Sequence, residues 1–368
     1  MADIRVLFVT TGTLSTNGSI QRAIHMAKAS SERGIEPRIL LLDTAQNREL
    51  AERFQVKDLV RWVQGRAPWH YLTWRYELAW CDVLHLIAPT LAGSVLGLLA
   101  RVYGCVVVSD WDELYLSQNE GGVARLRRRL LHLSATGVTN AYVFASRALQ
   151  EWYRSQNGKK QNSYIPYGLW PPVAAATSVA SPGGWVFYLG SYHRVFRADL
   201  DELITLARLL APTPFGMMLA GRGQELPRIE SKLRQILPAQ RLKICGFVRD
   251  VDETLRDPAI RLCFLPLEDN MQNRCRCPNK MFHYALGRKM ILTNRVGEAA
   301  ELMGDCAVYY HFGDEHSMQS ALIQGLARRP SYDYESLSWA RRGADYRQFL
   351  QKIRGSKTCR AEGATREI

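Results

Sequence analysis

Residues 260–302 read IRLCFLPLEDNMQNRCRCPNKMFHYALGRKMILTNRVGEAAEL, and their alternation sets the fold class. IRLCFLPL is a short apolar run ending near Pro266, the pattern of a strand covered on both faces. The loop after it is too polar to be core. Met281, Tyr284, Ala285 and Leu286 then recur at helical spacing and stop at Gly287, a residue that commonly closes a helix. KMILT follows at once as a second buried strand. A strand, a polar loop at its carboxyl end, a helix start and another strand make the unit with which open α/β sheets hold ligands beyond the strand ends.

The same alternation extends outward in both directions. IRVLFVT (4–10), PRILLLD (37–43), DVLHLI (82–87) and CVVVSDWDELY (105–115) read as strands, and QRAIHMAKASSERG (21–34) as a helix ended by Gly34. Gly12 and Gly18 lie in the first strand-to-helix loop, where small residues admit a ligand to the backbone and a helix start favours an anion. VAAATSVASPGG (173–184) has no periodicity and reads as a linker. Beyond it, WVFYLGSYHRVFRADLDELITLARLL, FGMMLAGRGQELPRIESKL and LKICGFVRDVDETL repeat the strand, turn and helix order. A chain of 368 residues exceeds one ordinary core and suits two domains of about 150 to 180 residues each.

Composition excludes several classes. The 47 % apolar content is that of a globular protein, and its longest apolar run, Ala92 to Ala100, falls short of the roughly 20 residues that cross a bilayer. No basic-then-apolar signal layout opens the chain, which predicts a cytoplasmic protein. Eight irregularly spaced cysteines fit reduced thiols in strands; Cys275, Cys277 and His283 are too few for a zinc site, so no metal is expected. Net charge is +13, and residues 121–160 carry eight basic side chains against Glu151 alone. No nucleic-acid-binding motif accompanies that charge, so nucleic acid is not expected as a partner. Within GVARLRRRLLHL, Val123, Leu126, Leu130 and Leu133 share one face while Arg125, Arg128 and Arg129 lie off it. Such a helix suits an anionic membrane surface or a solvated face equally. Trp69, Tyr71, Trp74, Tyr76 and Trp80 fit an acceptor groove, a membrane surface or a core. Asp110 and Asp112 end a buried strand and read as catalytic carboxylates or as a helix cap.

The segment PNKMFHYALGRKMILTNRVGEAAELM resembles the donor-binding segment of GT-B glycosyltransferases of the large retaining family four, with Pro278, Lys280, Gly287, Val296, Gly297 and Glu301 in matching places. The resemblance spans residues 4–350, most specifically in the second half. It implies an α/β protein of GT-B type: two Rossmann-like domains facing a central cleft, with a C-terminal helix crossing back to the first. The expected division is an acceptor domain over 1–170, a linker over 171–184, a nucleotide-sugar domain over 185–335, returning helices over 336–354 and a disordered tail over 355–368. The implied activity moves a sugar from a UDP-, GDP- or dTDP-linked donor to a carbohydrate, lipid-linked or natural-product acceptor, with retained configuration and no tightly bound cofactor. The implied catalytic residues are Asp112, Asp110, Lys280 and Arg194. The implied donor contacts are Gly18, Gly190, Arg197, Gly221, Phe247, Val248, His283, Val296, Gly297 and Glu301. The chain departs from the family's pattern where Cys275 and His283 replace two glutamates, Ser191 an arginine, Tyr167 an asparagine and Trp111 a histidine. If those departures abolish donor binding, the resemblance implies a non-catalytic GT-B partner of an active transferase.

Overall fold

The computed structural model describes residues 4–10, 18–65, 74–114, 122–156, 158–171, 183–193 and 197–364. The chain separates into two units. The first holds Met1–Gly168, Cys275–Cys277 and Ser338–Ile368, and the second Leu169–Arg274 with Pro278–Leu337.

The first unit is built on β1 (Ile4–Thr10), β2 (Ile35–Leu42), β3 (Val60–Val63), β4 (Val83–Ile87), β5 (Val106–Trp111), β6 (Ala141–Phe144) and β7 (Gln161–Tyr164). They form a parallel sheet in the order β3-β2-β1-β4-β5-β6-β7, so strand order reverses between β1 and β4. Their unbroken apolar runs follow from helices covering both faces. Leu7, Val9, Leu84 and Leu86 face Leu96 and Ala100 of helix Leu91–Val102. Phe8 and His85 point the other way and meet the ring of Tyr346 on helix Trp339–Ala364. That last helix packs on helix Gly18–Ser31, and glycine is needed at 343 because a Cβ there would run into the Ala29 carbonyl. It continues past Gly355 to Ala364, through a segment whose polar composition suggested a tail.

Cys275 lies wholly buried among Trp111, Tyr142, Phe144 and Leu149, and its carbonyl accepts from Ser146 Oγ at 2.9 Å. Residues 275–277 therefore belong to the first unit although flanked by second-unit sequence.

The second unit contains β8 (Gly184–Ser191), β9 (Phe215–Arg222), β10 (Leu242–Gly246), β11 (Ile260–Leu265), β12 (Met290–Thr293) and β13 (Ala307–Tyr309), in the parallel order β10-β9-β8-β11-β12-β13. The organising stretch forms β11, helix Met271–Arg274, helix Lys280–Leu286 closed at Gly287, β12 and helix Gly297–Met303. Strand order here reverses between β8 and β11.

Candidate functional site

In the second unit the side chains of interest gather at the carboxyl ends of the strands. Tyr284 is fully buried and anchors helix Lys280–Leu286 to the sheet: its hydroxyl accepts from Leu189 N at 3.1 Å and donates to Phe264 O at 3.3 Å. Burial pushes the Tyr284 phenol far above its ordinary range, so it stays neutral. One turn earlier, Lys280 Nζ lies 5.0 Å from the centre of the Tyr188 ring, near the end of β8. The neighbouring turns are glycine for steric reasons. A Cβ at Gly221, whose φ is 121°, would strike the Gly190 carbonyl, and one at Gly223 would strike the Tyr192 carbonyl. At Gly190 the obstacle is the Tyr188 hydroxyl.

Across the reversal point, Asp199 Oδ1 accepts from Glu268 N at 2.9 Å and fixes the loop after β11. Arg197 is exposed at the first position of helix Arg197–Leu210, while Arg194 lies outside the described residues. Gly297 has φ 49°, and a Cβ there would lie 2.7 Å from the Arg274 carbonyl. Val296 before it is buried, and Glu301 is exposed one turn into the helix. At the end of β10, Phe247 is 58 % exposed with the Arg222 guanidinium 5.1 Å from its ring centre, and Val248 is half-buried. An exposed aromatic face at a strand end offers a platform for a planar ligand.

His283 has a partner that sequence reading did not supply. Its Nδ1 lies 2.6 Å from Asp252 Oδ1 on helix Val251–Leu255, with the two side chains 27 % and 35 % exposed. The pair sets a carboxylate beside the imidazole.

In the first unit, Asp112 at the end of β5 is half-buried and receives bonds from Ser19 Oγ at 3.0 Å and the Tyr167 hydroxyl at 2.9 Å. Gly18 starts the helix that carries Ser19, and a Cβ there would touch the Tyr167 hydroxyl at 3.5 Å. Asp110, two residues back, has a different environment. It is wholly buried; Arg22 Nε donates to its Oδ2 at 2.7 Å, and His85 Nε2 lies 3.1 Å from the same oxygen. Arg22, equally buried, also donates from Nη2 to Ile165 O at 2.7 Å. Burial alone would raise the Asp110 pKa, but the Arg22 charge and the bonds from His85 and Arg22 carry it below the usual carboxylate range. Burial holds His85 below its ordinary value despite Asp110, so it is neutral; Nε2–H donates to Asp110 and Nδ1 accepts the Tyr346 hydroxyl at 2.7 Å. Thr10 Oγ1, Arg22 Nη1 and Asp110 Oδ1 are buried without partners among the described residues. The two acids that sequence placed together thus separate: Asp112 retains exposed surface, and Asp110 is enclosed as the anchor of a buried ion pair. Trp111 between them is core, its Nε1 donating to Ser109 Oγ at 3.0 Å.

The aromatic segment also divides. Trp74 and Trp80 pack against the core, Arg38 lies 3.7 Å over the Trp80 ring, and Tyr76 is 73 % exposed. Trp69 and Tyr71 lie outside the described residues. Leu126, Leu130 and Leu133 are exposed; the side chains of Val123, Arg125, Arg128 and Arg129 lie outside the described residues. Arg22, His85, Tyr346 and Asp252 escaped sequence reading because nothing local marks them: each meets its partner across 25 to 261 residues.

No family model and no curated protein matches the sequence. Solved structures do resemble it. A lipopolysaccharide outer core galactosyltransferase, WaaB, in its apo form aligns over 95 % of this chain and 99 % of its own, with a TM-score of 0.66 at 10 % identity. HepE from Anabaena, in complex with UDP, aligns over 98 % and 100 %, with a TM-score of 0.64 at 14 % identity. A UDP-GlcNAc 2-epimerase from Neisseria meningitidis bound to UDP-GlcNAc is also similar, over 95 % and 100 %, with a TM-score of 0.56 at 10 % identity. These likenesses extend over both units, and the chain has the two-domain α/β fold of GT-B glycosyltransferases.

Proposed function

We propose that the protein transfers a sugar from a nucleotide-sugar donor to an acceptor hydroxyl with retention of anomeric configuration. The observation that carries the reading is the position of Lys280, pinned by the Tyr284 anchor beside the end of β8, where the glycine turns of β8 and β9 abut without room for side chains. Charge develops on the diphosphate as the glycosidic bond breaks, and a cation fixed in advance stabilises that charge more in the transition state than in the ground state. Lys280 takes this role, with Arg197 and Arg194 as further cations; Gly190, Gly221, Val296 and Gly297 shape the surrounding backbone. Phe247 and Val248 line the base, His283 with Asp252 meets the ribose, and Glu301 completes the donor contacts. In the first unit Asp112, positioned by Ser19 and Tyr167, faces acceptor or transferred sugar, with Gly18 keeping its approach open, and Asp110 acts through its hold on Arg22.

The donor is UDP-, GDP- or dTDP-linked, and the likeness to UDP-bound HepE favours UDP as the first to test. The acceptor is a carbohydrate, lipid-linked or natural-product hydroxyl, met in the cytoplasm or at the inner face of its membrane. A second reading, a non-catalytic partner of an active transferase, draws support from His283 and Cys275 standing where the family carries glutamates. Incubation with labelled nucleotide sugars and analysis of products separates these outcomes. Release of nucleoside diphosphate with label on an acceptor supports transfer. A donor sugar altered without acceptor supports epimerisation, and nucleotide binding without any product supports the partner role.

A further inference from the structure

Two cysteines of the first unit lie against each other. The Cys81 and Cys105 sulfurs are 3.7 Å apart, although 24 residues separate them in sequence. Both side chains are buried in the cluster that holds Leu78, Leu84 and Leu96. Cys81 closes helix Arg75–Trp80 with extended backbone, and Cys105 stands just before β5. Val83 pairs with Val106 in the ladder of β4 and β5, and Val106 N donates to Asp82 O at 2.9 Å. Carried one residue back, that register sets Cys105 level with Asp82, one step beyond Cys81. Neighbouring strands lie about 4.8 Å apart and one residue advances about 3.3 Å, so the two Cα atoms stand roughly 6 Å from each other. A disulfide spans Cα separations of about 4.4 to 6.8 Å. Its sulfurs are about 2 Å apart, and turning the side chains about their Cα–Cβ bonds closes the difference with both strands in place.

The surroundings of the sulfurs decide how the pair reacts. Cys105 Sγ lies 3.2 Å from the carbonyl oxygens of both Leu78 and Cys81, and Cys81 Sγ lies 3.7 Å from that of Leu78. Carbonyl oxygens favour a donating thiol over a thiolate, and the contact with Cys105 together with burial pushes the Cys81 thiol far above its ordinary range. The pair is therefore unreactive at rest and closed to bulky reagents. Once a small oxidant has reached one sulfur, the other is already in contact with it.

We propose that Cys81 and Cys105 are a redox pair that a peroxide closes to a reversible disulfide, stiffening the first unit at the amino ends of β4 and β5. In the first step the thiolate of one cysteine attacks a peroxide oxygen. The O–O bond breaks, the sulfur is oxidised to a sulfenic acid, and the departing hydroxide takes up the thiol's proton as water. In the second step the neighbouring sulfur attacks the sulfenic sulfur, the S–O bond breaks, and the hydroxyl leaves as water with the second thiol's proton. Two thiols and one hydrogen peroxide thus give one disulfide and two waters. The bond lies at the opposite end of the sheet from Asp110 and Asp112, so it acts on stability and not on the carboxylates. It involves no nucleotide and stands apart from the donor-site reading.

Peroxide treatment of the folded protein tests it. Once the peroxide has been destroyed with catalase, the chain is unfolded in excess alkylating reagent and cut with trypsin, which cleaves after Arg101 between the two cysteines. Mass spectrometry is expected to find the Cys81 peptide joined to the Cys105 peptide, and dithiothreitol to part them. Closing a loop of 24 residues should raise the first unit's calorimetric transition by roughly 5 to 10 °C, a rise lost again on reduction. Cys105→Ala should abolish the linked peptide and the rise, and leave the Cys81 sulfenic acid to be captured by dimedone. If that variant does not fold, the parent's linked peptide and reversible rise decide. A parent whose two cysteines are both alkylated, or carried on to sulfinic acid without joining, overturns the proposal. So does a link without any rise in the transition, or one that forms only when the peroxide meets the unfolded chain.

Discussion

Replacing Asp110 with Asn should destabilise the first unit without touching nucleotide binding in the second. Asp110 and Arg22 have no exposed side-chain surface, and the carboxylate supplies the charge opposite a guanidinium that cannot shed its proton. Asn preserves shape and one acceptor oxygen, yet leaves the Arg22 cation buried and uncompensated. Breaking a buried pair from one side costs about 3 to 5 kcal/mol. For a unit of this size each kcal/mol moves the melting temperature by about 2 to 4 °C, so the first transition should fall by roughly 6 to 20 °C. Calorimetry of parent and variant reads this, with the two units fitted as separate transitions. Arg22→Met with Asp110→Leu removes both charges and should recover most of the loss, since apolar replacement of a whole buried pair is often near neutral. An Asp110→Asn variant melting within 2 °C of the parent would refute the buried-pair account of Asp110.

Acid should destabilise the same unit in two steps. His85 and Asp110 both have folded pKa values below their unfolded ones, so their contributions are whole above the unfolded values, about 6.5 and 3.9, and fade as pH falls through the folded values. Melting temperature against pH should therefore begin to fall below about 6.5, and His85→Gln should flatten that first part of the curve; an unchanged curve removes His85 from the account. In the second unit, His283→Ala and Asp252→Asn should each weaken binding of a ribonucleoside diphosphate by about 0.5 to 1.5 kcal/mol, the net worth of a hydrogen bond at a half-exposed pair, and leave 2′-deoxy analogues nearly unaffected. Equal losses on both nucleotides would place the pair away from the ribose. Gly221→Ala meets both a positive φ and the Gly190 carbonyl, and should cost the second unit more than the roughly 1 kcal/mol of a mere helix or strand glycine change; a variant as stable as the parent would show that the turn can relax.

The sheets were legible because parallel strands buried on both faces write themselves as continuous apolar runs. FVT at the end of β1, VLHLI and CVVVSDW give the first unit's centre, and CFLPL with KMILT the second's. The glycine that closes helix Lys280–Leu286 was equally plain. Partnership across long separations was not. Asp110 and Asp112 are alike in sequence, and only the return of helix Trp339–Ala364, bringing Tyr346 onto His85, and the insertion of Arg22 from helix Gly18–Ser31 tell the enclosed acid from the half-exposed one. Tyr167, read as a departure from an asparagine, places its hydroxyl on Asp112, and His283, read as a lost glutamate, borrows a carboxylate from Asp252. The leucines of helix Gly122–Val138 share one side by spacing alone, and only tertiary packing shows that Leu126, Leu130 and Leu133 stay exposed.

Titration calorimetry of parent and Lys280→Ala with UDP, GDP and dTDP tests the nucleotide-sugar reading most directly. The account predicts that the parent binds at least one of the three and that Lys280→Ala weakens it roughly ten- to hundredfold, the worth of a hydrogen bond to a charged group, with melting unchanged. A parent that binds none of them, or a Lys280→Ala variant with parental affinity, would contradict it.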